Sequence, residues 1–497
     1  MAYVSGLEPF ASSVQSQTYE IHELCRVSGI FVVPHFFYYE NTAGAADFMS
    51  TSVLEEGFME VLREYPLLAG TLIECKRGRY KVVVDKDNLN LPEFKETQCE
   101  AGFGDLKAAN YAPSALPEGA ATEGRYMNHS NSNPAKLARV HIMRCKENSG
   151  VVIFVGISHV LVDGFSYNLV VRRWAEICKH LAGNGSLDAK PGHPINFGCE
   201  LMDGYMQQVA PPAGAFIWHQ FIPGGLISKL FAQCSVRTQL KLLGMMSGSF
   251  DLSSHFYFVS QDTIDKMRGE IKEVLPADQP VSSNDVLAAL INVAMAQSLD
   301  CAAPGDTPSG VLQKIRAALF GSQKPQPKEF VHMGVADIRP RLKIPAAADY
   351  CGSAVVIYLS HIPFDALQGP VTPKMLALAA DAARRGTNSV DKGYIHTYSS
   401  AIAAEPDSAI RPFVYGGKPP AHLVVTNHAR IGHYRSDFGW GVPAWANVLE
   451  ATMSSLCYVY PAPPTRNGLV VHMMLPKDIQ DRMRQHPFWR EKTEFIR

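Results

Sequence analysis

Between positions 151 and 157 the chain reads VVIFVGI, a nearly unbroken apolar run. Such a run is expected of a strand buried on both faces, where neither side of the sheet meets water. Other strand-like runs fall at 79–84, 137–143, 251–259, 354–359, 422–426 and 469–475. Helical apolar spacing marks 54–65, through Leu54, Phe58, Val61 and Leu62, and Pro66 with a Gly70 turn is expected to end that helix. A helix is expected from about 165 to 181. Another is expected over 282–298, which opens on a capping sequence and carries an apolar stripe. Strands and helices are mixed in both halves, so the fold class is α/β or α+β.

The chain's 497 residues exceed what one core usually spans, and two domains are expected. Apolar residues make up 46% and charged residues 19%, an ordinary globular profile. A net charge of −1 gives no general attraction to nucleic acid or an acidic membrane, so any bound anion needs a local pocket. The ten cysteines are scattered singly, without CxxC spacing, and no residues are assigned to a metal. The opening MAYVSGLEPF lacks the basic-then-apolar pattern of a secretory signal, so a cytoplasmic location and reduced thiols are expected. The Asn-x-Ser triplets at Asn128 and Asn184 then carry no glycan. Positions 191–248 are rich in Pro and Gly. Their apolar pieces are interrupted by His219, Gly224, Gly225 and Lys229, too often for a transmembrane span, and an interdomain crossover is expected. The polar, poorly patterned stretch 97–133 reads as a surface loop.

The run at 151–157 delivers Ser158-His159-Val160-Leu161-Val162-Asp163-Gly164, an HxxxDG pattern. Histidine is the side chain best placed to accept a proton near neutral pH, as a hydroxyl nucleophile requires. Asp163 has two readings: it orients the imidazole, or it points away and braces the loop through a buried arginine. Gly164 leaves room where backbone and substrate approach closely. Taken alone the pattern has modest specificity, and a satisfied histidine ending a core strand would show it too. A second pattern, Asp437-Phe438-Gly439-Trp440-Gly441, lies far downstream, and five specified residues including a Trp are very unlikely to co-occur by chance.

HxxxDG with a later DFGWG resembles the BAHD acyltransferase family, in the fungal-type branch of trichothecene 3-O-acetyltransferase. The resemblance covers most of the chain. Tyr65 to Leu72 is similar to the family's YPLAGRL segment, with Thr71 in place of arginine. Val281 to Ala289 is similar to its S-T-F-E-V-L-T-A helix. Ala336-Asp337-Ile338-Arg339, followed by Tyr350-Cys351-Gly352-Ser353, resembles its D-x-R and YFGN pair, and Thr426-Asn427-His428 stands where Thr-Ser-Trp is usual.

The resemblance implies two similar-sized domains like chloramphenicol acetyltransferase, mixed sheets with helices, and a tunnel between them. Domain boundaries are expected at 1–200 with HxxxDG, 201–250 for the crossover and 251–497 with DFGWG. It implies His159 as general base, Asp163 braced by Arg339, and a structural role for Asp437, Gly439, Trp440 and Gly441. Thr426 and His428 become the candidate oxyanion donors, His428 replacing an indole. Ser282 and Ser283 are candidates for a coenzyme A phosphate, with plain helix capping as the alternative. Acyl-CoA, most simply acetyl-CoA, is the implied co-substrate, with no permanently bound cofactor. A small alcohol, or an amine, is the implied acceptor, and nothing demands more than a monomer.

Three other readings compete. A condensation domain shares HxxxDG but usually places a second histidine where Ser158 stands. A non-catalytic scaffold fits poorly with intact His159, Asp163 and Gly164. A serine hydrolase finds no G-x-S-x-G elbow, since Gly248-Ser249 and Ser309-Gly310 lie in other contexts.

Overall fold

The computed structural model describes residues 12–28, 31–75, 79–117, 131–185, 199–207, 251–299, 327–344, 350–404, 422–448 and 455–497, with Phe10 and Ala120. Their strands are, in chain order, β1 (Gln17–Glu20), β2 (Val32–Glu40), β3 (Thr71–Glu74), β4 (Tyr80–Val84), β5 (Glu93–Gln98), β6 (Ala138–Arg144), β7 (Gly150–Ser158), β8 (Leu252–Ser260), β9 (Glu329–Asp337), β10 (Val355–Pro363), β11 (His422–Asn427), β12 (Trp445–Val448), β13 (Leu456–Pro461), β14 (Gly468–Pro476) and β15 (Glu494–Phe495). The chain divides into two compact units. One holds Met1–Ala210, Arg339–Ala354 and Ile431–Glu450; the other holds Pro211–Ile338, Val355–Arg430 and Ala451–Arg497.

The first unit is built on a mixed five-stranded sheet, order β12-β2-β7-β6-β5, beside a three-stranded sheet, order β1-β4-β3. Strand β7 is buried along its whole length, which is why its sequence is apolar at every position rather than at every second one. The helices Thr51–Glu64 and Gly164–Leu181 pack together: Phe58 meets Trp174 edge-on at 5.3 Å, and Trp174 Nε1 donates to the Leu54 carbonyl at 2.9 Å. Arg173, midway along the second helix, donates to Glu64 at the end of the first at 2.7 Å.

The second unit carries a seven-stranded sheet, order β10-β9-β11-β13-β14-β8-β15. Strand β11 runs parallel to both β9 and β13, while β13, β14 and β8 follow antiparallel. The helices Gln261–Lys272, Ser283–Ser298, Pro373–Ser389 and Lys477–Gln485 share one core with Val425, Cys457, Val459, Val471 and Met473.

Two late segments join the first unit, whereas the sequence boundaries put all of 251–497 in the second. The reason is pairing. Trp445–Val448 adds to the edge of the first sheet against β2, and Arg339 pairs with Asp163. The stretch 97–133, read as loop, holds the end of β5 and a short helix, Phe103–Ala108, that buries Phe103 and Leu106. The helix Cys199–Gln207 opens the expected crossover. The rest of 201–250, and Asn128, lie outside the described residues. Among the described residues Cys25, Cys75, Cys99, Cys145, Cys178, Cys351 and Cys457 are free thiols, and no helix is long and apolar enough to cross a membrane.

Candidate active site

His159 follows the last residue of β7, where the buried strand gives way to a turn. Its backbone N–H donates to the Phe31 carbonyl at 2.9 Å, and Leu161 N–H closes the turn onto Ser158 at 2.9 Å. The imidazole is half-buried. Its Nδ1 is sealed from solvent and makes no hydrogen bond among the described residues, which leaves Nε2 as the available nitrogen. Burial lowers the pKa below its ordinary 6.5, against the opposing pull of the His159 and Val162 carbonyls and the Asp163 charge.

Asp163 turns to other partners. It caps the helix Gly164–Leu181, accepting from Ser166 N–H at 2.9 Å. Its other oxygen accepts from Arg339 Nη1 at 2.8 Å and from Ala354 N–H at 2.9 Å. Arg339 goes on to donate to Ser166 Oγ at 2.8 Å and to the carbonyls of Gly352 at 2.9 Å and Tyr350 at 3.2 Å. It also lies 4.8 Å over the Phe165 ring. Burial alone pushes the Asp163 carboxyl up. The Arg339 charge and hydrogen bond, with the N–H groups of Ser166 and Ala354, outweigh it and hold the group below the usual carboxylate range. Gly164 is the helix's first residue, and its carbonyl accepts from Asn168 Nδ2 at 2.9 Å.

Sequence reasoning missed Ser166, the hub between Arg339 and the 350–354 segment, although a serine three residues after an N-cap aspartate was a readable cue. Ser353, in the place of the family's asparagine, is fully buried. Its Oγ has no hydrogen bond among the described residues, and its N–H donates to Cys25 Sγ at 3.4 Å. It missed as well two buried histidines of this unit, His35 and His433, whose rings lie 4.8 Å apart.

In the second unit Thr426 is near the end of β11 and His428 just beyond it. Thr426 Oγ1 lies 3.2 Å from His428 Nε2, and His428 N–H donates to the Val459 carbonyl at 2.7 Å. Ser282 caps the helix Ser283–Ser298 in a capping box with Asp285, whose carboxylate accepts from Ser282 N–H at 2.7 Å and from its Oγ at 2.8 Å. Ser283 Oγ accepts from Arg268 Nη2 at 2.9 Å. Both hydroxyls therefore have local partners.

The sequence profile of the Transferase family matches residues 11–186 and 314–487, well over half the chain. The chain belongs to this family, the BAHD acyltransferases. Among named relatives, the O-acyltransferase pigD of Monascus ruber is 29% identical over 164 residues. That match spans 32% of this BAHD chain and only 34% of the relative's length. Among solved structures, TRI101 of F. sporotrichioides, in complex with coenzyme A and T-2, superimposes with a TM-score of 0.69. It covers 97% of this chain and 100% of its own at 14% identity. Vinorine synthase gives 0.60 over 94% and 92% of the two chains, at 15% identity. Both likenesses bear on the fold.

The BAHD motif DFGWG forms a loop in the first unit, away from any contact with His159 that the hydrogen bonds record. Asp437 Oδ1 accepts from the N–H groups of Gly439 and Gly441, each at 2.9 Å, and Oδ2 accepts from Lys179 Nζ at 2.7 Å. Gly439 and Gly441 have φ of +106° and +103°, where L side chains are strained. Phe438 packs edge-on against Trp174 at 4.8 Å, and Trp440 meets Phe48 at 6.3 Å. Asp437→Ala removes all three acceptor bonds, and is expected to lower unfolding free energy by about 1–3 kcal/mol. Urea unfolding checks this, and a variant as stable as wild type would contradict the structural role.

Proposed function

We propose that this BAHD chain transfers an acyl group, most simply acetyl, from a coenzyme A thioester to a hydroxyl of a small specialised metabolite. The observation that carries the reading is His159: an imidazole held at the end of a wholly buried strand, kept neutral by burial, with Asp163 bonded elsewhere. A neutral imidazole with one available nitrogen is a base rather than a charge. That the family's fold also describes TRI101, solved with coenzyme A and with T-2, supports the co-substrate and the class of acceptor.

In this reading His159 Nε2 takes the acceptor's hydroxyl proton as the oxygen attacks the thioester carbonyl. Thr426 donates to the oxyanion, with His428 Nε2–H held in turn on Thr426 Oγ1. Collapse breaks the carbon–sulfur bond, and His159 returns the proton to the leaving thiolate. Asp163 and Arg339 fix the turn that presents the imidazole; they do not relay the proton.

Because the transfer is direct, intact-mass measurement on a quenched reaction is expected to find no acylated protein. An adduct formed at the rate of turnover would replace this scheme with a covalent one. The pH profile carries a second expectation. A base acts only when unprotonated, so kcat/KM is expected to stay flat through neutral pH and to fall on an acid limb below 6.5, the ordinary histidine value. An acid limb above that value would contradict the lowered pKa of His159.

A further inference from the structure

The strand register of the second unit sets a row of side chains across one face of its sheet. Thr426 on β11 is paired with Tyr458 on β13, Tyr458 with His472 on β14, and His472 with Phe256 on β8. Their immediate neighbours Val425, Cys457, Val459, Val471 and Tyr257 belong to the core shared with the helices, so this row occupies the opposite face. Its rings are stacked: His472 on Phe256 at 3.8 Å, Tyr458 on Tyr460 at 5.8 Å and Tyr458 on His472 at 6.1 Å. The His428 ring meets Tyr458 edge-on at 5.3 Å.

Within this packing the two tyrosines differ. Tyr460 is buried, and its hydroxyl lies 3.4 Å from His472 Nδ1. Tyr458 is only half-buried, and its hydroxyl makes no hydrogen bond among the described residues. A tyrosine that packs its ring in an aromatic cluster usually gives its O–H to a partner. Here a fixed ring carries a donor with no partner among the described residues, on the strand that neighbours Thr426's at the usual spacing of about 4.8 Å.

We propose that the Tyr458 hydroxyl is a second donor to the oxyanion formed from the acyl thioester, acting beside Thr426, an assignment that rests on the acyltransferase reading above. As the acceptor oxygen bonds to the thioester carbon, the C=O π pair moves onto the carbonyl oxygen. Tyr458 hydrogen-bonds that oxygen and keeps its proton; the carbon–sulfur bond then breaks and the carbonyl re-forms. Burial pushes the phenol up to about 12, so it stays a donor over any practical assay range. It supplies the interaction that His428 does not, because His428 Nε2 lies against Thr426.

Tyr458→Phe keeps the stacked ring and removes only the donor. With acetyl-CoA and the best alcohol from a substrate panel, kcat is expected to fall about 10²–10³-fold, with KM for acetyl-CoA nearly unchanged. The infrared carbonyl stretch of bound 13C-acetyl-CoA reads the same contact without any acceptor. It is expected to move to higher wavenumber in the variant as the carbonyl loses polarisation. Unchanged kcat, an effect confined to KM, or an unshifted stretch would overturn the assignment while leaving the acyltransferase reading in place. Failure of the wild-type protein to bind acetyl-CoA would instead sink that reading and this one with it.

Discussion

Replacing His159 by alanine is expected to lower turnover by about 10²–10⁴-fold, the range for loss of a positioned base. The side chain is half-buried, and the backbone groups acting on it, the carbonyls of His159 and Val162, belong to its own turn, so its removal breaks no tie to another element. Folding should therefore survive, and the thermal midpoint should stay within a few degrees of wild type. Rate loss without stability loss is the signature of a group that works on substrate. A variant that transfers at the wild-type rate would remove His159 from the mechanism. One that unfolds would make it a structural residue.

The opposite pattern is expected at Arg339. Replacing it by methionine leaves the Asp163 carboxylate, 2% exposed, without its cationic partner. Breaking a buried pair from one side costs about 3–5 kcal/mol, because an uncompensated charge stays behind. The carbonyls of Tyr350 and Gly352 lose one donor each as well, keeping only Ser166 Oγ. Denaturant unfolding checks the loss, and a change below about 1 kcal/mol would mean that the pair is solvated rather than buried.

The sign of the pH dependence distinguishes the two proteins. In the wild type the Asp163 carboxyl is held below its ordinary 3.8, so its stabilising contribution is present above that value. It is lost as pH falls through the lower folded value. In Arg339→Met burial acts unopposed and raises the carboxyl, so mild acidification should recover part of the lost stability. A variant that weakens steadily on acidification, as the wild type does, would contradict this account of the pair.

How much of this was legible differs from residue to residue. The run 151–157 was readable because β7 is buried on both faces, and a polar residue right after such a strand stands out. The helix over 282–298 was readable for its cap, which the structure shows as Ser282 with Asp285. Strand β2, the antiparallel neighbour of β7, was not singled out: Pro34 sits inside it, against Gly156, and a proline argues against a central strand. Strand β13 was hidden for another reason. Both faces of LCYVYP are apolar or aromatic, so no alternation reveals that Tyr458 lies opposite Cys457 and Val459. The partner of Asp163 was beyond any local pattern, since Arg339 is distant in the chain. Only resemblance to a family connected them. The pairing of β12 with β2 was legible from neither source: it takes DFGWG into the first unit, whereas the expected boundaries put that motif in the second.

The most direct test is thiol release from acetyl-CoA by purified wild-type protein and by His159→Ala, each offered a panel of small alcohols, with calorimetry for acetyl-CoA binding alongside. Both proteins are expected to bind acetyl-CoA, and only the wild type to release thiol when an alcohol is present, with a product heavier by one acetyl group. Equal release by both proteins, or no binding by either, would contradict the proposed transfer.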